Sequence, residues 1–175
     1  DHRGIISVKK FQGVEAALNM GYEYAIVIDC ETTFTRSFNS YEVAKYLSNQ
    51  KKVYSSLTDN PTLININRSA ADFFDEEDRK RLIELTKDHR EYFWFNDLAF
   101  YDISICRRFF DKVYAGDPNG FYARMSGSHF DHIIYIYYCL LYEDYKIINL
   151  NEKIGLPLEP FAKFHLGAVE SIGDR

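Results

Sequence analysis

The chain has 175 residues, 46% of them hydrophobic, enough for one domain with a sizeable core and too apolar for a disordered tail. A net charge of −5 gives no global basic field, so nucleic acid is not expected as a partner unless a local patch binds it. No apolar run reaches the length of a transmembrane span, and Asp1-His2-Arg3-Gly4 has no signal-peptide pattern, so the expected address is cytoplasmic. The absence of an initiator Met suggests a trimmed or fragmentary chain whose missing segment could change that address.

In chain order, Val8, Phe11, Val14 and Leu18 fall at helical spacing and Gly21 ends the run, which predicts a helix. Tyr24 to Ile28 then predicts a strand buried on both faces of a sheet. The polarity flips at Asp29-Cys30-Glu31. Alternate strand residues point the same way, so Asp29 and Glu31 project together at the carboxyl end, where open α/β sheets hold their ligands. Two neighbouring carboxylates repel unless one is protonated or a cation lies between them, and oxygen ligands suit Mg²⁺ or Mn²⁺. The plainer alternative is a strand end whose acids face water or cap the next turn.

Asn39 and Glu42 form a capping box for a helix over Tyr41 to Ser48. Lys52 to Leu57 and Thr62 to Asn67 predict two short strands around a turn at Asp59-Asn60-Pro61. Acids first and bases later in Asp75 to Arg81 mark the solvated start of a helix continuing through Leu82, Ile83 and Leu85. Glu91 to Asp102 holds the single Trp, Trp94, in an aromatic segment with Asn96, Asp97 and Asp102. Rings beside a carboxylate suit sugar or base stacking, the acid binding a hydroxyl or taking its proton. Equally, this is a core strand, with Asp97 opening a helix through Ile105, Phe109 and Phe110.

Gly116 to Gly120 predicts a turn, and Ser126-Gly127-Ser128 precedes a helix over His129 to Tyr142 whose aromatic stripe is packing. Tyr145 to Leu150 predicts a returning strand. Leu156 to Gly167 is broken by prolines and carries His165, a residue type that more often packs than ligates. Cys30, Cys106 and Cys139 lack metal-type spacing and are expected to be buried thiols. The alternation of helices and strands predicts one α/β domain over residues 1–175, with an aromatic-rich C-terminal half.

The helix leading into Gly21 to Glu31, that line itself, and the following helix resemble the middle of a GT-A nucleotide-sugar glycosyltransferase. In that family a hydrophobic strand ends in Asp-x-Asp, whose acids bind a divalent metal that clamps the donor diphosphate. The resemblance implies a Rossmann-like, mixed and mostly parallel sheet flanked by helices, with Asp29-Cys30-Glu31 as the metal motif, Glu standing in its last place. It also implies Mn²⁺ or Mg²⁺ as cofactor, a nucleotide-sugar donor and a saccharide or glycolipid acceptor. Trp94 and Asn96 would bind substrate, Asp97 would act as the acceptor's base, and His165 would be a further metal ligand. The resemblance covers the family's fold without its first βαβ portion, which grips base and ribose, and so implies a fragment with an incomplete donor site.

Ile28-Asp29-Cys30-Glu31-Thr32-Thr33 also resembles the first motif of proofreading-type 3′-to-5′ exonucleases, which hold two metals for phosphodiester hydrolysis. Their second motif has a weak echo in Asn96 to Asp102. Their third has no counterpart, and a helix stands before the acidic strand where those enzymes begin with it. A non-catalytic, aromatic-rich binding module is the third expectation.

Overall fold

The computed structural model describes residues 2–28, 32–34, 39–93, 98–149 and 169–171. Helix α1 (His2–Asn19) leads to strand β1 (Tyr24–Ile28), followed by β2 (Thr32–Phe34), α2 (Ser40–Gln50) and β3 (Lys52–Leu57). Then come α3 (Pro61–Ala70), a 3₁₀ turn (Ala71–Phe73), α4 (Glu76–Leu85), β4 (Glu91–Phe93) and β5 (Leu98–Asp102). The chain continues through α5 (Ile103–Tyr114), α6 (Pro118–Arg124), α7 (Asp131–Tyr142), β6 (Lys146–Asn149) and β7 (Val169–Ser171). The architecture is α/β, with small sheets.

α1 begins several residues earlier than its apolar spacing suggests. It stops as expected: Gly21, at φ +78°, donates to Leu18 O, and Tyr22 N donates to Ala17 O, the paired bonds of a Schellman end. Asn39 Oδ1 accepts from Tyr41 N and Glu42 N, so the predicted cap of α2 is present. The expected strand over Thr62 to Asn67 is instead helix α3. Its alternating apolar residues suggest a pleated period, but Asn60 accepts from Thr62 N and Leu63 N and Pro61 fills the first helical turn. That start signal decides the conformation, and α3 buries Asn67 and Ala70 on one face.

Four strand pairings are described, and only β3 with β6 is parallel. The mostly parallel sheet that the resemblance implies is therefore not what the described strands form. β5 and β4 each return antiparallel to an earlier strand, β5 to β1 and β4 to β3. β1 has β5 as its one partner among the described strands, so its residues are half-buried and Ile28 is 41% exposed, not buried on both faces.

The core is one apolar cluster reaching from Phe11 and Val14 of α1 to Tyr145, built around α7. Every residue from Asp131 to Leu141 is buried, which is why α7 reads as apolar all round. Its rings pack edge-on: Tyr135 and Tyr138 each meet Phe109 at 5.5 Å between centroids. Cys106 and Cys139 are buried thiols, and burial raises the pKa of both. Cys30 lies outside the described residues. No helix among the described residues is long and apolar enough to cross a membrane.

Candidate functional site

The β1/β5 ladder runs from Tyr24 opposite Asp102 to Ile28 opposite Leu98. Because the pair is antiparallel, the chain leaves β1 after Ile28 at the same end where it enters β5 at Leu98. The stretch that begins with Asp29 and the stretch that ends with Asp97 are thus tethered to one end of one ladder. Asp29, Glu31, Trp94, Asn96, Asp97 and His165 themselves lie outside the described residues. β7 pairs with β2, Val169 opposite Phe34 and Ser171 opposite Thr32. The chain after His165 therefore enters that ladder at the end away from Thr32. Among the described residues no three His, Cys, Asp or Glu side chains are grouped to hold a metal.

The other end of the ladder is fastened by Asp102, 6% exposed. Its carboxylate accepts from Ser48 Oγ of α2, from Ser104 N at 2.9 Å and from Ser104 Oγ at 2.6 Å. Its backbone N–H donates to Tyr135 OH of α7 at 3.1 Å. Asp102, not Asp97, is the residue that caps the helix through Ile105 and Phe109. The Asp-x-Ser spacing was the available signal, since a carboxylate at the N-cap accepts from the backbone two residues on. Next to it, the buried Tyr101 hydroxyl donates to Asp131 at the start of α7. Burial and then the Asp131 charge push the Tyr101 pKa well above its ordinary value, so the phenol keeps its proton.

A second group of polar residues closes the carboxyl end of the parallel β3/β6 pair, where open α/β sheets often hold ligands. Glu91, 1% exposed, accepts at Oε2 from Ser55 Oγ at 2.6 Å and from Asn149 Nδ2 at 2.8 Å. Lys87 Nζ stands 3.2 Å from Oε1. The turn before Glu91 places Lys87, Asp88 and His89 at φ +51°, +58° and +62°, costly for residues with a Cβ. Asn67 Nδ2 holds that turn by donating to His89 O and Glu91 O, both at 2.9 Å. His89 Nδ1 is 3.2 Å from Tyr137 OH, and burial followed by the Arg68 charge lowers the His89 pKa. These groups bond to one another and so serve as a buried tie between strands. Residue type alone does not separate Glu91 from the exposed acids, so the tie was not visible in the sequence.

No family model, curated protein or solved structure matches the chain.

Proposed function

We propose that the chain is a metal-dependent glycosyltransferase of GT-A-like ancestry that moves a sugar from a nucleotide-diphosphate donor to a hydroxyl of a saccharide or glycolipid acceptor. The observation that carries this reading is the β1/β5 register, which tethers the stretches bearing Asp29–Glu31 and Trp94–Asp97 to the same ladder end. A donor-holding acidic motif and an aromatic acceptor segment need that adjacency. The free, buried thiols Cys106 and Cys139 suit a reducing compartment, the cytoplasm.

In this reading Asp29 and Glu31, with His165 as a further ligand, hold Mn²⁺ or Mg²⁺, an oxygen-rich donor set suited to these hard cations. The bound ion supplies electrostatic stabilisation of charge on the leaving diphosphate. Trp94 offers a stacking wall for the acceptor ring and Asn96 a hydrogen bond to it. Asp97 accepts the proton of the attacking hydroxyl. Glu in place of the second Asp of the motif has one more methylene, so its carboxylate reaches further from the backbone.

Replacing Asp29 by Asn and Glu31 by Gln together is expected to abolish Mn²⁺ binding in a calorimetric titration while leaving the far-ultraviolet circular dichroism unchanged. Unaltered Mn²⁺ affinity in that double variant refutes the metal role. Asp97→Asn is expected to lower transfer on the order of 100-fold with donor affinity retained; equal losses in both refute the base.

The exonuclease reading draws support from β2, a strand that begins directly after Glu31. Against it, helix α1 precedes β1, helix α2 follows β2, and the partner of β1 is β5. Mn²⁺-dependent release of nucleotides from single-stranded DNA, with no sugar transfer, would establish it instead.

A further inference from the structure

A cleft of about 690 Å³ lies between α1, α3 and the turn Ser126-Gly127-Ser128 that leads into α7, within the roughly 300–1,000 Å³ of ligand pockets. Its walls are held close. A Cβ on Gly4 of α1 would stand 2.8 Å from Met125 O and 3.0 Å from Ser126 Cα, so helix and turn touch through backbone. Ser7 lines the cleft and is 7% exposed. Asp131 lines the same cleft, 1% exposed and held from behind by Tyr101.

We propose that this cleft binds a neutral, polyhydroxylated ligand, a short saccharide. Ser7, Thr62, Asn65, Ser126 and Ser128 offer groups that both donate and accept, as neighbouring sugar hydroxyls require. Phe130 and Ile66 add apolar surface for the C–H face of a ring. Charge argues for a neutral ligand. Lys10 and Asp131 oppose each other in sign, and Asp131 already occupies the first turn of α7, where an anion would be drawn. None of these residues belongs to the stretches that follow β1 or precede β5, so the cleft can bind sugar whether or not the chain transfers it.

The test is a series of ¹H–¹⁵N spectra of the whole chain titrated with maltotriose, cellotriose and chitotriose to about 20 mM, with inorganic phosphate in parallel, and repeated on Ser7→Ala and Asn65→Ala. At least one trisaccharide is expected to shift the amides of Ser7, Asn65 and Ser126 to Ser128. Each variant is expected to weaken that binding about fivefold with its thermal midpoint within roughly 2 °C of the parent. Shifts centred elsewhere, equal shifts with phosphate, unchanged affinity in both variants, or no shift with any of the three sugars would overturn the assignment.

Discussion

The two main ladders of the molecule differ in burial and in what their ends lead to. In the β3/β4/β6 sheet, β3 is central, three of its residues are buried, and Glu91 is tied to Ser55, Asn149 and Lys87. In the β1/β5 pair the strands are half-buried, one end is fastened through Asp102, and the other runs on into the acidic and aromatic stretches. A ladder whose acids are consumed by internal bonds serves stability. In the proposed function, acids that follow the last paired residue of the second ladder would hold the ligand. The functional proposal rests on the second ladder and on nothing in the first.

That contrast is broken most directly at Glu91. Glu91→Ala removes the acceptor for two buried donors and leaves a cavity, and is expected to cost about 3 kcal/mol in urea unfolding. Glu91→Gln, which keeps one acceptor oxygen, should cost about 1 kcal/mol. A loss under about 0.5 kcal/mol for the alanine variant would show that the tie is not structural. Tyr101→Phe removes a hydrogen bond to the buried Asp131 carboxylate and is expected to cost about 2 kcal/mol by the same measurement.

A smaller effect comes from pH. Burial, the largest cause for each, lowers the pKa of His89 and His129 below the ordinary 6.5, so both stay neutral in the fold while the unfolded chain takes up protons. Stability from these two is complete above 6.5 and is lost as pH falls from there toward their lower folded values. The thermal midpoint should fall on acidification through this range, and His89→Gln should flatten the slope. An unchanged slope in that variant excludes His89 as a source. The smallest effect is a gain. Ala115 ends α5 at φ +47°, a conformation glycine adopts without penalty, and Ala115→Gly is expected to add about 0.5 kcal/mol in urea unfolding. A loss there would mean the unfolded chain's added freedom outweighs the relief.

Local chemistry made much of the fold legible. The Asn39 cap, the Gly21 stop, the charge order of α4 and the aromatic run of α7 each specify their element with neighbours a few residues away. Thr62 to Asn67 misled because period-two apolarity is also compatible with a helix face, and the deciding signal lay upstream in Asn60-Pro61. Strand direction was not legible, because antiparallel return of β5 onto β1 depends on residues 70 apart in the chain. The candidate site was legible as residue types, Asp29, Glu31, Trp94 and Asp97, while the register that relates their stretches emerges only from the pairing of Ile28 with Leu98. Buried partnerships such as Tyr101 with Asp131 and Ser55 with Glu91 join distant elements and leave no local trace.

The measurement that bears most directly on the transferase reading is the thermal midpoint in Mn²⁺ with UDP or GDP, set against TMP and short single-stranded DNA. A ligand that binds only the folded state stabilises it by mass action, about 2.7 kcal/mol at 100 times its dissociation constant, and so raises the midpoint. A rise is expected with a nucleoside diphosphate, and it should vanish on chelating the metal and in the Asp29→Asn, Glu31→Gln variant. A rise confined to TMP or DNA, or none with either diphosphate, would contradict the transferase reading.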